Sequence, residues 1–180
     1  MNGVVHENMK HISLVVNGKN QDLCLTKALS RGGFGTVWLA QSCSTTLVAK
    51  EEVVTDRTKS QTRIYNLRHL SNPFIVDIYG SVATNEFFYT VMDYFPLGSL
   101  RDVMKTHSFS AFMRCRFMLD IARGMEYLHS QNVFHYNLKP ENVLVASIDP
   151  DAKVLCRFVS FVKSLQCLLC VFLILLSCQG

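Results

Sequence analysis

The spacing of the apolar residues changes near the middle of the chain. In the first half, short runs with alternating or clustered apolar residues predict strands, because a strand turns successive side chains to opposite faces. In residues 112–129 the apolar residues recur at every third or fourth position, which predicts an amphipathic helix. The core face of this helix carries Phe117, Ile121, Met125 and Leu128. The predicted strands cover residues 12–16, 23–29, a stretch that ends near 41, 47–50, 77–82, 87–92, 143–145 and 154–158.

A glycine-rich turn lies between two of these strands, at Leu29-Ser30-Arg31-Gly32-Gly33-Phe34-Gly35-Thr36-Val37. Gly32, Gly33 and Gly35 allow the backbone to pass close over a bound group, where a Cβ would hinder it. Taken alone, such a turn is also typical of a plain hairpin. The next strand ends with Leu47-Val48-Ala49-Lys50. A lone lysine at that position would be an ordinary solvated charge.

The strongest motif follows the helix and reads His135-Tyr136-Asn137-Leu138-Lys139-Pro140-Glu141-Asn142. It resembles the catalytic loop of protein kinases, His-Arg-Asp-Leu-Lys-Pro-Glu-Asn. In that loop the Asp accepts the proton of the substrate hydroxyl, the Lys neutralises the transferred phosphoryl group, and the Asn holds a magnesium ion. The resemblance places Lys139 at the phosphoryl group and Asn142 at the metal ion. Asn137 stands at the base position, where the family has the Asp.

Together with the glycine-rich turn, Lys50 and a hinge-like segment, this loop extends the resemblance over residues 23–162. It implies an α+β fold of the protein-kinase type, with a complete β-rich N-lobe and an incomplete helical C-lobe. A whole kinase domain has two lobes and is longer than these 180 residues. The implied organisation is an N-terminal extension at 1–22, an N-lobe at 23–92, a hinge at 93–98, a partial C-lobe at 99–162 and an apolar tail at 163–180.

The resemblance also implies an ATP site. Lys50 matches the lysine that pairs with the α- and β-phosphates beneath the glycine-rich turn. Because backbone groups of the hinge hold the adenine in the family, side-chain changes in that segment leave weak ATP binding open. The residues that correspond to the adenine pocket, with Met92 as its gatekeeper, are Val37, Val48, Met92 and Leu144.

The helix predicted over residues 58–70 lacks an acidic residue that the resemblance requires. In the family a glutamate of this helix pairs with the strand lysine. Counting back from Asn72-Pro73-Phe74-Ile75-Val76, which resembles the family's motif after this helix, puts Arg63 at that position. A register error of about one turn would select Gln61 or Leu67, and neither is acidic. An arginine cannot make the pair with a lysine.

The magnesium aspartate of the family is missing as well. Ser160 falls at its place, after a spacing from Asn142 that looks like kinases of the tyrosine-kinase-like group, and the alternative register places Arg157 there. Both registers lack a carboxylate, which argues against a functional magnesium site at Asn142 and Ser160. The amide of Asn137 cannot serve as a base at neutral pH, and general-base assistance is worth roughly 10²–10⁴ in rate.

Three functions are open on these residues. The leading expectation is a catalytically impaired, pseudokinase-type module that acts by binding a nucleotide, a protein partner or both. The first alternative is an active Ser/Thr protein kinase that transfers the ATP γ-phosphate to protein hydroxyls. The second alternative is a non-functional, truncated kinase product.

Composition narrows the partners and the compartment. Hydrophobic residues make up 49% of the chain and charged residues 18%, so we expect a folded core rather than wholesale disorder. The net charge of +4 is scattered rather than gathered in a stripe, which gives no support to nucleic-acid binding. Seven cysteines without a recognisable signal peptide favour reduced thiols and a cytoplasmic location.

The tail at residues 163–180 departs from the family. Its strongest apolar run, residues 167–176, is shorter than the roughly 20 residues that a membrane-spanning helix needs. A buried or surface-packed helix is therefore expected. Membrane contact by residues 165–178 is the alternative, because a run extended back to Phe158 is long enough to span a bilayer. The extended run includes Lys163, whose charge is costly inside a membrane.

Overall fold

The chain divides into two compact units. The first unit comprises Met1–His69 and Asp77–Tyr94, and the second comprises Leu70–Val76 and Phe95–Gly180. The structure is a computed structural model that describes residues 10–16, 19–33, 35–54, 58, 68–135, 137–154 and 156–158.

Six antiparallel strands form a sheet in the described part of the first unit. They are β1 (Lys10–Val16), β2 (Lys19–Gly32), β3 (Gly35–Gln41), β4 (Thr46–Val53), β5 (Ile78–Ala83) and β6 (Phe87–Asp93). Across the sheet they lie in the order β1-β2-β3-β4-β6-β5. A Cβ added to Gly80 of β5 would lie 3.2 Å from Leu14 Cδ1 of β1. The sheet therefore curls until its first and last strands meet.

The core of the first unit lies inside this curled sheet. In β1 the buried Ile12 and Leu14 alternate with the exposed His11 and Ser13, as the period of two predicts for a half-buried strand. Ile12 lies directly opposite Leu23 of β2, so the two side chains share a face. The main buried cluster consists of Ile12, Leu14, Leu23, Leu25, Ala40, Leu47, Ala49, Tyr89 and Val91.

The sheet begins earlier in the chain than the predicted domain boundary. Residue 23, the expected first residue of the domain, lies inside β2, and β1 falls within the predicted extension at 1–22. Residues 10–16 pair along their whole length with β2 and contribute two core side chains. In the sequence, the apolar run at residues 12–16 is followed by the turn-forming Asn17-Gly18, and the strand predicted there is confirmed as β1.

Two α-helices and a hairpin occupy the described part of the second unit. They are α1 (Leu100–Thr106), α2 (Ala111–Ser130), a 3-10 helix (Pro140–Asn142), β7 (Val143–Val145) and β8 (Cys156–Phe158). Ser99 and Ser110 cap the two α-helices, since each hydroxyl accepts a hydrogen bond from the backbone N–H three residues later. The predicted hairpin is confirmed, although its second strand begins at Cys156 rather than at residue 154.

The long helix α2 confirms the prediction over residues 112–129. Phe117, Ile121, Met125 and Leu128 are all buried on its core face. Each of these side chains follows the previous one by three or four residues, which keeps them on a single side of the helix. Helical periodicity was therefore enough to identify both the element and its buried face.

Several predicted features lie outside the described residues. They include most of the helix at 58–70 with Arg63, the magnesium position at Ser160, and the tail at 163–180. Among the helices that the structure describes, none combines the length and the apolar character needed to cross a membrane. Of the described cysteines, Cys43 and Cys115 are exposed, Cys24 is half-buried and Cys156 is buried.

Candidate functional site

The glycine-rich turn joins β2 to β3, with Gly32 paired to Gly35 across the hairpin. Gly35 has a φ of +107°, and a Cβ at this position would lie 1.8 Å from the carbonyl oxygen of Glu51 in β4. Only glycine therefore allows β3 to approach β4 here. At Gly32 and Gly33 an added Cβ would meet no atom within 4 Å. The turn itself is consequently open to a bound group.

Strand pairing brings four of the predicted site residues onto one face of the sheet. Val37 of β3 lies directly opposite Lys50 of β4, and Met92 of β6 lies directly opposite Val48. Directly opposed residues in antiparallel strands share a face, and so do residues two positions apart in one strand. Val48 and Met92 are buried, whereas Val37 and Lys50 are half-buried. The predicted apolar pocket residues of the first unit thus lie on the same face of the sheet as the predicted phosphate lysine.

Lys50 forms an ion pair with Glu52, a residue that sequence reasoning missed. Lys50 Nζ lies 3.0 Å from Glu52 Oε1, and the two side chains are 15% and 22% exposed. The signal that could have found this pair is the strand period of two, which puts both residues on the same side of β4. The lysine therefore has a carboxylate beside it that comes from its own strand.

The residue between them, Glu51, faces the other side of β4 and is 6% exposed. Its Oε2 lies 2.7 Å from the Lys10 ammonium and accepts a 2.7 Å hydrogen bond from the Tyr89 hydroxyl. Burial acts to raise the pKa of Glu51, but the bonds from Lys10 and Tyr89 outweigh burial and hold the pKa below its ordinary value. Burial and the Glu51 carboxylate in turn raise the pKa of Tyr89. Glu51 is therefore a buried anion at neutral pH.

The loop around Asn137 is held by its own hydrogen bonds in the second unit. The backbone N–H of Asn137 donates to the carbonyl oxygen of His135 at 2.7 Å, and Asn142 Nδ2 donates to the carbonyl oxygen of Asn137 at 2.7 Å. His135 is fully buried, whereas the side chain of Asn137 is exposed and Lys139 is half-buried. Because these bonds use the backbone of Asn137, they hold the loop independently of the amide that replaces the family's carboxylate.

A second ion pair, also missed by sequence reasoning, ties α1 to this loop. Arg101 Nε lies 3.3 Å from Glu141 Oε1, and the side chains are 51% and 43% exposed. Burial acts to raise the pKa of Glu141, but its own backbone N–H and the Arg101 guanidinium lower the pKa on balance. Exposed pairs contribute little stability. The sequence offers no signal for a contact between residues 40 positions apart.

Leu144, the predicted adenine-flanking residue of the second unit, lies in β7 opposite Arg157 of β8. It also forms a β-bridge with Ser99, and the Val145 N–H donates to the Gly98 carbonyl oxygen at 2.9 Å. Arg157, the magnesium position in the alternative register, lies in the middle of β8. Ser160 lies outside the described residues, so the choice between the two registers stays a prediction.

The residues present do not fit a magnesium ion. Within the described ranges, no three or more His, Cys, Asp or Glu side chains are grouped to hold a metal. Asn142 donates its Nδ2 to the Asn137 carbonyl oxygen, which leaves its neutral amide oxygen as one possible ligand. Magnesium sites in proteins are built on carboxylate oxygens, and the sequence has Ser160 where the family has its carboxylate.

Comparisons with known proteins give a family and relatives. The family model described as "Protein kinase domain" matches residues 24–156. The chain is 33% identical over 146 residues to the probable serine/threonine-protein kinase gdt4 of Dictyostelium discoideum. The aligned segment covers 78% of this chain and 9% of that protein. It is 32% identical over 136 residues to the serine/threonine-protein kinase greatwall of Danio rerio. This alignment covers 71% of this chain and 16% of that protein. The chain thus spans less than a fifth of the length of these two relatives.

Among solved structures, the structure of Rad53 1-466 in complex with AMP-PNP is similar, with a TM-score of 0.70. The sequences are 23% identical, and the match covers 88% of this chain and 39% of that chain. At this identity the likeness shows the fold alone, and it confirms the kinase-like α+β fold with a strand-rich N-lobe and an incomplete C-lobe. The curated relatives are named as serine/threonine kinases and give no support to the predicted tyrosine-kinase-like group.

Proposed function

The chain belongs to the protein kinase domain family, and on that premise we propose that it is a pseudokinase-type module. It acts by binding a nucleotide, a protein partner or both, and it transfers phosphate poorly. The observation that carries the proposal is the loop around Asn137. The backbone of this loop is held by His135 and Asn142, while the side chain at the base position is an exposed amide. Family architecture is kept here where the family's proton acceptor is lost.

Nucleotide binding is supported by the first unit. Lys50 lies among Val37, Val48 and Met92 on one face of the sheet, next to a turn that is open at Gly32 and Gly33. An ammonium is a suitable partner for phosphate oxygens, and apolar side chains are suitable neighbours for a base. The solved structure of Rad53, which has the same fold, is a complex with AMP-PNP. These features support weak ATP binding by this chain.

Poor phosphoryl transfer is supported by the missing base. A typical protein kinase turns over about 1–100 times per second, and loss of general-base assistance lowers a rate by roughly 10²–10⁴. A chain with no other defect would therefore transfer phosphate at or below about one per second. The arginine at position 63 and the serine at position 160 remove two further carboxylates of the family, and both act in the same direction.

The second candidate is an active Ser/Thr protein kinase. The curated names of the relatives favour it, since gdt4 and greatwall are both named as serine/threonine kinases. Lys139 and Asn142 also stand in the loop where the family has its phosphoryl and metal residues. The two candidates predict the same nucleotide binding, but they differ in measurable phosphate transfer and in dependence on magnesium.

The test is a melting measurement on the full chain with ATP and with ADP, each with and without magnesium. ATP at ten times its dissociation constant stabilises a folded protein by about 1.4 kcal/mol. We expect a shift of that size that does not require magnesium, because the magnesium carboxylate is absent. The Lys50→Met variant should lose the shift.

Phosphate incorporation into a protein substrate is measured in parallel, against a heat-denatured control. Incorporation that is absent from the control and from Lys50→Met would establish the active kinase instead. No melting shift with either nucleotide at millimolar concentration would remove the nucleotide-binding part of the proposal.

A further inference from the structure

We propose that Glu52 positions Lys50 for the phosphates of a bound nucleotide, in place of the helix glutamate that the family uses. The inference rests on the proposed function, because it deepens the part that assigns nucleotide binding to Lys50. Glu52 is a positioning residue in this role. Its carboxylate acts on the Lys50 ammonium and makes no contact with the nucleotide.

The ion pair lies in a part of the sheet that is held on both sides. Lys50 is paired with Val37 in β3 and with Thr90 in β6. The backbone of β4 is therefore fixed by two neighbouring strands, and the directions of residues two positions apart are fixed with it. Both ends of the 3.0 Å contact between Lys50 Nζ and Glu52 Oε1 lie in this strand.

The helix predicted before β5 offers no replacement carboxylate. Residues 58–70 contain neither aspartate nor glutamate, so no register of that helix restores the family's lysine–glutamate pair. By contrast, β4 supplies two consecutive glutamates. Glu51 faces Lys10 in the core, and Glu52 faces Lys50. The strand itself thus provides the carboxylate that the helix lacks.

The chemistry of the ammonium allows Glu52 and a phosphate to share it. A lysine ammonium has three donors, so it can bond a carboxylate and phosphate oxygens at the same time. With its side chain only 15% exposed and tied to a carboxylate, Lys50 has lost much of its rotamer freedom before a ligand arrives. Binding then pays less ordering entropy, which is the general benefit of preorganisation. The opposing effect is repulsion between Glu52 and the phosphates. If repulsion dominated, Glu52→Gln would bind ATP more tightly than the unaltered chain.

The test compares the dissociation constants of ATP and of adenosine for the full chain and its variants. Glu52→Gln removes the charge and keeps the shape, and Glu51→Gln is the matched control on the opposite face. We expect Glu52→Gln to weaken ATP binding about tenfold, which corresponds to one charge-assisted hydrogen bond. Adenosine has no phosphates, so its binding should stay unchanged. In a Lys50→Met background, Glu52→Gln should no longer weaken ATP binding.

Each other outcome overturns the inference in a distinguishable way. If Glu52→Gln binds ATP as tightly as the unaltered chain, or more tightly, the carboxylate does not position the lysine, while the proposed function stands. Equal losses for ATP and adenosine would show that Glu52 only supports the fold. If the unaltered chain binds no ATP, the proposed function and this inference fail together. If Glu52→Gln does not fold, Glu52→Asp is tested instead, because it keeps the charge on a shorter side chain. Weaker binding of ATP with unchanged binding of adenosine would then support the inference, and unchanged binding of both would overturn it.

Discussion

Two lysine–glutamate pairs lie on opposite faces of β4, and they differ in where their lysines come from. Glu51 pairs with Lys10, which is 41 residues away in β1, whereas Glu52 pairs with Lys50 in its own strand. The Lys10 ammonium also lies 4.7 Å from the Phe87 ring centroid. The first pair therefore joins distant parts of the sheet, and the second pair is local.

This difference assigns different roles to the two faces of β4: one face stabilises the fold, and the other carries the candidate nucleotide site. The carboxylate of Glu51 is 6% exposed and is satisfied by the Lys10 ammonium and the Tyr89 hydroxyl, so it belongs to the core. The pair of Lys50 and Glu52 lies among the residues of the candidate nucleotide site. Because successive side chains of a strand point to opposite faces, a change at one glutamate need not disturb the other.

Gly35→Ala should cause the largest loss in the free energy of unfolding, because it disturbs the backbone of β4 and therefore both faces of that strand. The new Cβ would meet the Glu51 carbonyl oxygen, and the φ of +107° is unfavourable for any residue with a side chain. We expect a loss of about 3 kcal/mol or more in the free energy of unfolding, measured by urea denaturation. Gly33→Ala is the matched control, since an added Cβ there meets nothing within 4 Å. Equal stability of the two variants would contradict the close approach of β3 to β4.

The face of the sheet that carries the candidate nucleotide site could be predicted from the sequence, because local signals place its residues. The glycine-rich turn joins two strands that are adjacent in the chain, so Val37 and Lys50 meet through short connections. The period of two then puts Val48 beside Lys50. The same period also favours Glu52, but a charged residue near a strand end looks like a solvated one until its exposure is known.

The core face could not be predicted in the same way. The contact of Lys10 with Glu51 requires β1 to join the sheet and the sheet to curl. Asn17-Gly18 in the sequence is a turn signal for the first step, but no local pattern specifies the curl. The expected boundary at residue 23 lies inside β2. In the second unit, the motif identified Asn137 and Asn142, but the backbone bonds that hold the loop involve atoms that every residue carries.

The next largest effect is expected from Lys10→Met, which leaves the Glu51 carboxylate buried without its cation. Removing one partner of a buried pair costs about 3–5 kcal/mol, and the 41% exposure of the Lys10 side chain lowers the expected loss to roughly 2 kcal/mol at neutral pH. Methionine keeps an unbranched side chain without the ammonium, so the loss reports the charge, including its contacts over the Trp38 and Phe87 rings. A Lys105→Met variant serves as the control, because its exposed pair with Asp102 should contribute at most about 0.5 kcal/mol.

The same variant has a characteristic dependence on pH. In the unaltered chain the pKa of Glu51 is held below its ordinary value of 4.5, so the ionised carboxylate contributes stability above that pH. This contribution is lost as the pH falls through the lowered pKa. In Lys10→Met the burial that raises the pKa is no longer opposed by the ammonium, and the carboxylate takes up its proton more readily. The stability gap between the two proteins should therefore narrow below pH 4.5, and a gap that stays constant would exclude Glu51 as its source.

The smallest effect is expected from Glu51→Gln, and it tests the separation of the two faces most directly. The amide oxygen can still accept the hydrogen bond of Tyr89, and Lys10 can turn its ammonium to water, so we expect a loss of only about 1 kcal/mol. The loss in the free energy of unfolding should be smaller for Glu51→Gln than for Lys10→Met, because glutamine leaves no charge buried. The melting shift caused by ATP should be retained, in contrast to Glu52→Gln. If Glu51→Gln removed that shift as fully as Glu52→Gln, the two faces of β4 would act as one unit, and the ion pair with Lys10 would have to be counted as part of the nucleotide site.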